Sequence, residues 1–281
     1  TDRSRGLGDV YKRQVQKSLI KKTDVMKIAI IGAGNMGGAI AKGLAQGTVI
    51  AAGDIWVSNP SLSKLDDLKA FDSRINTTTD NQKAVDVADW VILAVKPWLI
   101  DMVVKSIKFR PEQVVISIAA GVTFEALAKC LGYERTIFRM IPNTAISELS
   151  SMTLISSRNA SAEQEQIILS LFNELGLAMI IPESQMTAAM IVTSCGIAYV
   201  LKYIHAATEA GVEMGIAPGT AMKMIAESVK GAAELILHND THPAVEIDKV
   251  TTPGGVTIKG LNELEHAGFS SAIIRAMKAC L

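Results

Sequence analysis

The chain has 281 residues, and its 28 Lys and Arg are balanced by 28 Asp and Glu, so the formal net charge is zero at pH 7. This balance, without long runs of one sign, argues against binding to nucleic acid or an anionic membrane and favours a small-molecule partner. The length predicts one or two domains. Three scattered cysteines, Cys130, Cys195 and Cys280, are typical of a reducing compartment. We therefore expect a cytoplasmic protein.

The first 25 residues are polar and basic, and they contain neither an apolar segment nor a small-residue cleavage site. They do not have the pattern of a signal peptide. We expect residues 1–25 to be a non-native or disordered leader, and the fold to begin at Met26.

Between Met26 and Pro182, short β-branched runs alternate with helical patterns, which is typical of successive βαβ units and a mostly parallel sheet. The predicted strands cover residues 27–31, 55–58, 90–95, 114–119, 136–140, 153–156 and 178–181. The predicted helices between them cover residues 38–46, 62–70, 100–106, 124–131 and 162–175. After Pro182 only helices are predicted, over residues 183–214, 218–238, 255–266 and 270–281. The fold class is therefore α/β: a Rossmann-type doubly wound sheet over residues 26–182, then an all-α domain over residues 183–281.

Residues 186–201 contain no charged side chain. The stretch includes Thr187, Thr193 and Ser194 and is followed by Lys202 and His205, so it falls short of a membrane span. A helix that is apolar nearly all round needs partners on several sides. We expect this helix to be buried in the core of an oligomer.

A glycine-rich pattern stands between the first predicted strand and the first helix. The first glycine, Gly32, permits a tight turn, Gly34 lets the backbone approach a pyrophosphate, and Gly37 lets the helix pack on the strand. The helix N-terminus then binds the phosphate anion. This context predicts a dinucleotide held by these glycines together with Asn35 and Met36, and an ordinary tight turn is the alternative.

The second strand ends with Ser58 and Asn59, where an enzyme that prefers NAD usually has an acidic residue. Both side chains can donate hydrogen bonds to a 2′-phosphate. Lys64, one helical turn onward, adds positive charge, although a solvated lysine is an equal alternative. The sequence favours NADPH, with NADH as the alternative. We assign Asn81 to the same cofactor site.

The strand predicted over residues 90–95 ends at the carboxyl edge of the sheet, where ligands of doubly wound folds bind. Pro97 forces Lys96 out of helical geometry. We expect Ala94, Val95, Lys96 and Pro97 to lie beside the nicotinamide half of the cofactor. A surface lysine at a strand end is the alternative for Lys96.

Five segments resemble those of pyrroline-5-carboxylate reductases in order along the chain: residues 32–37, 94–97, 117–122, 139–144 and 251–257. The resemblance implies that the chain reduces the imine of 1-pyrroline-5-carboxylate to L-proline by hydride transfer from NAD(P)H, the last step of proline biosynthesis. It also implies that the helical domain binds substrate and forms a homodimer, with a higher ring oligomer as the alternative.

The last of these segments, Thr-Thr-Pro-Gly-Gly-Val-Thr, resembles the family's substrate loop. Two glycines before a helix expose backbone N–H groups to a carboxylate. By resemblance, the substrate carboxylate binds at Thr252, Gly255, Val256 and Thr257, and the Thr257 hydroxyl touches the ring nitrogen as the catalytic group. A flexible helix entry capped by Thr257 is the alternative.

No metal site is predicted. His238 and His242 have the spacing of paired zinc ligands, but no Glu follows His238 and there is no convincing third ligand.

Two other functions stay open. A β-hydroxyacid dehydrogenase shares the glycine-rich opening, but its Lys–Asn pair is incomplete here, because Ala206 follows Lys202 at the fourth position. A catalytically weak NAD(P)-binding paralogue is the second alternative. It is motivated by Cys195 and Ile197, which stand where the family usually has Ser and Pro.

Overall fold

The computed structural model describes residues 26–281, so the leader expected over residues 1–25 lies outside the described residues. The chain divides into two compact units, of which the first ends at Met190 and the second spans Ile191–Leu281. The domain division that the sequence analysis places after Pro182 stays a prediction.

The first unit alternates strands with helices. Its strands are β1 (Ile28–Ile31), β2 (Ile55–Ser58), β3 (Asn76–Thr78), β4 (Trp90–Leu93), β5 (Val114–Ser117), β6 (Ile137–Ile141), β7 (Ser151–Arg158) and β8 (Gly176–Ile180). Its helices are α1 (Asn35–Gln46), α2 (Leu62–Phe71), α3 (Asn81–Asp86), α4 (Ile100–Lys105), α5 (Phe124–Leu131), α6 (Ala162–Asn173) and α7 (Met186–Met190). Short 3₁₀ turns cover Ala52–Asp54, Pro97–Leu99, Thr144–Glu148 and Glu183–Gln185.

The eight strands form one sheet in the order β3-β2-β1-β4-β5-β6-β7-β8. All neighbouring pairs are parallel except β6 and β7, which are antiparallel. The strand order reverses at β1, which lies between β2 and β4. In a doubly wound sheet this is the point where a ligand binds, outside the carboxyl ends of the strands. The Rossmann-type sheet followed by an all-α domain is confirmed.

Apolar residues are packed on both faces of the sheet. Along β1, Ile28 and Ile30 belong to a cluster on one face, while Ala29 and Ile31 belong to a second cluster on the other. All four are buried, as expected for a parallel strand covered by helices on both sides. Close packing also restricts the size of the side chains on α1. A Cβ on Gly43 would lie 3.0 Å from the side chain of Leu175.

Three elements are not predicted from the sequence: β3, α3 and one helix of the second unit. The strand β3 has only three residues, Asn-Thr-Thr, and α3 has only six. Runs this short contain too little apolar periodicity to be recognised from sequence. The N-terminus of α3 is nevertheless well capped, since the Asp80 carboxylate accepts from the backbone N–H groups of Gln82 and Lys83.

The second unit contains only helices among its described residues. It begins with a π-helical turn, Ile191–Cys195, and continues with α8 (Gly196–Glu213), α9 (Pro218–Asn239), α10 (Pro243–Val250), α11 (Val256–His266) and α12 (Phe269–Lys278). The helix that the sequence analysis misses is α10. The close approach of α8 to α9 depends on Gly211, because a Cβ there would lie 2.9 Å from the Cβ of Ala221.

Most large apolar side chains of the second unit are exposed within the single chain. They include Val192, Leu201, Tyr203, Met214, Met224, Leu237 and Ile274. The apolar helix expected in an oligomer core is therefore not buried by its own chain. By length and composition alone, the helical stretch Glu183–Glu213 is also long and apolar enough to cross a membrane.

The core of the first unit can be tested by truncating one leucine. Leu171 of α6 is fully buried, so we expect Leu171→Ala to lower the free energy of unfolding by about 2–5 kcal/mol. Leu62 of α2 is 65% exposed, and we expect Leu62→Ala to change it by less than about 0.5 kcal/mol. Urea unfolding at one fixed protein concentration measures both changes. Equal losses in the two variants would contradict this packing.

Candidate functional site

The glycine-rich turn after β1 is shaped by close backbone packing. Gly32 has φ +109°, and a Cβ there would lie 2.6 Å from the carbonyl oxygen of Ala94. A Cβ on Gly37 would lie 2.0 Å from the carbonyl oxygen of Gly32. Neither position admits a side chain. The chain can therefore turn directly from β1 into α1 and bring the helix N-terminus to the edge of the sheet.

The middle glycine of the pattern has a different environment. A Cβ on Gly34 would meet no atom within 4 Å, so the protein's own packing does not require glycine here. Gly34 is also the N-cap of α1, and none of the described side chains caps this helix. Open space in front of uncapped N–H groups suits an anion such as a pyrophosphate.

Side chains beyond β2 hold this turn in place. The Oδ1 of Asn59 accepts from the backbone N–H of Ala33 at 3.0 Å, and its Nδ2 donates to the carbonyl oxygen of Ser61 at 3.2 Å. Ser58 is fully buried, and its hydroxyl donates to Oδ1 of Asn81 at 2.5 Å. The proton of the Ser58 hydroxyl is thus already used inside the protein, and its donation to a 2′-phosphate stays a prediction. Asn59 mainly orients the glycine-rich turn.

A cavity of about 300 Å³ opens beside the turn, between α1 and α2. Its wall includes Gly34, Asn35, Lys42, Lys64 and Asp67. The ammonium of Lys42 lies 5.3 Å from the centre of the Phe71 ring. Within the described residues, no carboxylate forms an ion pair with Lys64. Lys64 thus adds an unpaired positive charge to this cavity.

The chain after β4 leaves the sheet in an extended conformation. Ala94 still donates its N–H to the carbonyl oxygen of Ile31 at 2.8 Å. Lys96 has φ −63° and ψ 146°, as the following Pro97 requires, and its side chain is exposed. Ala94 and Val95 therefore lie directly against the glycine-rich turn, and Lys96 extends beyond them at the same edge.

The segment from Arg139 onward has a structural role that sequence reasoning misses. Arg139 is 10% exposed, and its guanidinium binds the carboxylate of Glu183 at 2.5 Å. The same carboxylate accepts from the backbone N–H of Phe124 at 2.8 Å, at the start of α5. The arginine also lies 5.8 Å from the Phe124 ring centre. The pair joins β6, α5 and the 3₁₀ turn at Glu183 within the first unit.

The second loop of interest belongs to the second unit and precedes α11. Gly255 donates its N–H to the carbonyl oxygen of Thr252 at 2.9 Å, which closes a turn, and Gly254 has φ +74°. Gly255 is the N-cap of α11, and no side chain in the described part of the chain caps the helix. Val256, the first helical residue, is 84% exposed. The backbone N–H groups of Val256 and Thr257 at the helix start therefore have no hydrogen-bond partner among the described residues.

The three threonine hydroxyls of this loop differ in whether they are hydrogen-bonded within the chain. Thr251 donates to the carbonyl oxygens of Ile247 and Asp248 at 3.1 and 3.2 Å. Within the described part of the chain, the hydroxyls of Thr252 and Thr257 have no hydrogen-bond partner. Thr257 lies inside the helix, so it is not the cap that the alternative interpretation assumes. Two free hydroxyls and an uncapped helix start make this loop a suitable cradle for a carboxylate.

The other candidates from the sequence have structural explanations. His242 is the N-cap of α10, and its Nδ1 accepts from the N–H of Ala244 at 3.2 Å. Among the described residues, no group of three or more His, Cys, Asp or Glu side chains is arranged to hold a metal ion. Cys195 is half-buried and ends the π-helical turn Ile191–Cys195. That turn also contains Ser194, whose buried hydroxyl has no hydrogen-bond partner among residues 26–281.

Both loops lie in segments of the chain that match models of known protein families. Residues 183–281 match the family model described as pyrroline-5-carboxylate reductase dimerisation. Residues 27–121 match the model described as NADP oxidoreductase, coenzyme F420-dependent.

Individual relatives extend the match over most of the chain. Pyrroline-5-carboxylate reductase 1 of Dictyostelium discoideum is 36% identical over 89% of this chain, which spans 48% of that relative's length. The crystal structure of Plasmodium falciparum pyrroline carboxylate reductase with NADP bound has a TM-score of 0.81 and 26% identity, covering 91% of this chain and 95% of that one. Pyrroline-5-carboxylate reductase of Escherichia coli (strain K12) is 36% identical over 91% of this chain and 96% of its own. Because this identity extends over nearly the whole of both chains, the protein belongs to the pyrroline-5-carboxylate reductase family.

Proposed function

We propose that this chain reduces the C=N bond of 1-pyrroline-5-carboxylate to L-proline with NADPH as the reductant, the last step of proline biosynthesis, and that NADH can replace NADPH. Membership of the family supports the proposal. The observation that carries it is the loop before α11, where the free hydroxyls of Thr252 and Thr257 stand beside an uncapped helix start. A cyclic imine that bears a carboxylate needs both kinds of group.

The glycine-rich turn fits a dinucleotide, because Gly34 leaves open space in front of the uncapped start of α1. We assign the pyrophosphate to the turn and helix start formed by Gly32, Gly34, Asn35, Met36 and Gly37. When bound, the cofactor supplies the hydride. The adenosine end is assigned to Ser58, Asn59 and Asn81, with Ser58 acting by holding Asn81. The nicotinamide end is assigned to Ala94, Val95, Lys96 and Pro97.

The substrate carboxylate is assigned to the loop before α11. The backbone N–H groups of Val256 and Thr257 and the hydroxyl of Thr252 provide its hydrogen bonds, and Gly255 lines the site by closing the turn on the Thr252 carbonyl oxygen. A negative charge at this position is further favoured by the dipole of the helix. The carboxylate therefore fixes one end of the ring and leaves the imine to the side chain of Thr257.

Thr257 is the group that we place on the reacting atoms. Its hydroxyl donates a hydrogen bond to the ring nitrogen, or accepts one once that nitrogen is protonated. A protonated imine accepts hydride more readily, so a group that holds this state accelerates the reaction. The reaction needs no nucleophilic side chain, because the cofactor provides the hydride. Orientation of the two reactants accounts for much of the rate acceleration.

The proposed assembly is a homodimer formed through the second unit. A larger ring built from such dimers is the alternative. The exposed apolar side chains of α8 and α9 support this, since a soluble monomer rarely exposes so many. We place the protein in the cytoplasm as a small-molecule enzyme that binds neither nucleic acid nor a membrane.

The activity is tested with the purified chain, pyrroline-5-carboxylate and NADPH. We expect loss of NADPH absorbance together with formation of proline. Binding of NADPH without turnover would instead identify a catalytically weak paralogue. Turnover of a β-hydroxyacid without turnover of the imine would identify a dehydrogenase.

Removal of the Thr257 hydroxyl tests the catalytic assignment. A hydrogen bond to a charged partner contributes about 1.5–3 kcal/mol, so we expect Thr257→Ala to lower kcat/KM for the imine about 10- to 100-fold. Thr257→Ser keeps the hydroxyl and should restore most of the rate. NADPH affinity, measured by fluorescence titration, should stay unchanged in both variants.

Thr251→Ala is the matched control, because the Thr251 hydroxyl is bonded to the end of α10. We expect its kcat/KM to stay within about twofold, since this hydroxyl is directed at the preceding helix and away from the proposed substrate contacts. An unchanged rate in Thr257→Ala would remove Thr257 from the reacting atoms.

A methyl group on Gly37 tests the cofactor turn. It would lie 2.0 Å from the Gly32 carbonyl oxygen, so α1 must move. Overpacking costs about 1–3 kcal/mol, and we expect Gly37→Ala to weaken NADPH binding about 5- to 100-fold. In Gly38→Ala the new methyl meets no atom closer than 3.8 Å, and we expect binding to be retained. Equal affinities in the two variants would contradict the role of this packing.

The charge of Lys64 tests the preference for NADPH. An exposed pair of charges contributes about 0.2–1 kcal/mol, so we expect Lys64→Gln to raise KM for NADPH up to about fivefold and to leave KM for NADH unchanged. Lys69→Gln is the control, because Lys69 lies on the same helix and donates to the Ser73 carbonyl oxygen. Added salt should weaken the effect. An equal change for both cofactors would remove Lys64 from 2′-phosphate recognition.

A further inference from the structure

Two cysteines and a tyrosine meet in the second unit, away from the residues assigned to catalysis. Cys195 ends the π-helical turn, Tyr199 follows one turn later in α8, and Cys280 comes just after α12. The Tyr199 hydroxyl lies 3.2 Å from the Cys280 sulfur and donates to the carbonyl oxygen of Ala276 at 3.3 Å. The Cys280 sulfur lies 3.6 Å from the same carbonyl oxygen.

The two thiols belong to one cluster, although they are far apart in the chain. Cys195 lies one helical turn before Tyr199, whose hydroxyl contacts the Cys280 sulfur. Helix α12 packs against the π-helical turn that ends at Cys195, so the backbones of the two segments are neighbours. A disulfide requires its two Cα atoms to lie within about 7 Å, and the contact between α12 and the π-helical turn favours such an approach.

The environments of the two thiols differ. Burial raises the pKa of the half-buried Cys195 thiol, and the nearby charge of an ionised Cys280 raises it further. Cys280 is exposed to solvent. An oxidant in solution therefore reaches Cys280 first, and Cys195 is placed behind it as the second thiol. This is the usual arrangement of an accessible cysteine with a neighbouring resolving cysteine.

We propose that Cys195 and Cys280 form a redox modification site, at which hydrogen peroxide converts the two thiols into a disulfide that fastens the end of α12 to the π-helical turn. Tyr199 is a positioning residue, because its hydroxyl holds the Cys280 sulfur beside the turn. The inference is independent of the proposed activity, since neither cysteine is assigned to the cofactor or the substrate.

The chemistry proceeds in two steps. The Cys280 thiolate attacks one oxygen of hydrogen peroxide, the O–O bond breaks, and the products are a sulfenic acid and hydroxide, which takes the thiol proton and forms water. The sulfur loses two electrons and the peroxide gains them. The Cys195 sulfur then attacks the Cys280 sulfur, the S–S bond forms, the S–O bond breaks, and the leaving hydroxide takes the Cys195 proton as a second water. A dithiol reductant reverses the change.

The test uses the full chain, reduced and then treated with hydrogen peroxide before its remaining thiols are alkylated. Before alkylation, we expect the intact mass to fall by two hydrogen atoms and a reductant to restore it; alkylation should then add one label to the oxidised chain and three to the reduced chain. Trypsin cleaves after Arg158, Lys202 and Lys278, so the non-reduced digest should join residues 159–202 to residues 279–281. This link identifies the pair unambiguously, because each of these fragments contains one cysteine.

Cysteine variants separate the proposed pair from other products. Cys280→Ser should abolish the two-hydrogen loss, and Cys195→Ser should leave a sulfenic acid on Cys280 that dimedone labels. Cys130→Ser is the matched control and should keep the disulfide, because Cys130 lies in the first unit, where its thiol donates to Asp101 at 3.3 Å. Tyr199→Phe should slow disulfide formation several-fold, while Cys130 alkylation keeps its rate.

Three results would overturn the proposal. One is a digest that joins the Cys130 fragment to either other cysteine. Another is a disulfide between two chains, seen as a dimer on a non-reducing gel. The third is dimedone labelling of Cys280 in the unmodified chain without any loss of two hydrogens, which would mean that Cys195 cannot reach the sulfenic acid.

Discussion

Between β1 and α1 the backbone turns directly against the end of β4, and a side chain on Gly32 would lie within 2.6 Å of the Ala94 carbonyl oxygen. Because the main-chain groups are in contact here, the start of α1, the end of β2 and the chain that leaves β4 all lie at one edge of the sheet. The adjoining cavity and the Asn59 contact depend on this approach. The cofactor site is thus a consequence of backbone packing more than of particular polar side chains.

The two units are stabilised in different ways. The first buries apolar residues on both faces of its sheet and closes its own core. The second leaves large side chains such as Leu201, Tyr203 and Met224 exposed within one chain. Residues 183–281 match a dimerisation domain, and burial of these side chains by a second copy would complete a core that one chain lacks. Folding of the second unit is then linked to assembly, so its apparent stability depends on protein concentration.

Much of the fold and part of the site follow from sequence patterns. The strand–glycine–helix order predicts the turn at Gly32, because each glycine there meets a local steric demand. The role of Ser58 is different, since its hydroxyl is directed at Asn81, which lies in a segment too short to show periodicity. The pairing of Arg139 with Glu183 is equally invisible, as no local pattern links residues so far apart. Steric requirements between neighbours in the chain can therefore be predicted from sequence patterns. Contacts between side chains that are distant in the chain can be predicted only from resemblance to a known family.

The glycines of α1 and its preceding turn differ in how substitutions there can be compensated during evolution. At Gly32 and Gly37 the obstacle to a methyl group is a carbonyl oxygen, which every residue possesses, so no second substitution can remove it. At Gly43 the obstacle is the side chain of Leu175, which a smaller residue would clear. Gly43 and Leu175 can therefore change together in related proteins, while the two turn glycines have no partner with which to covary.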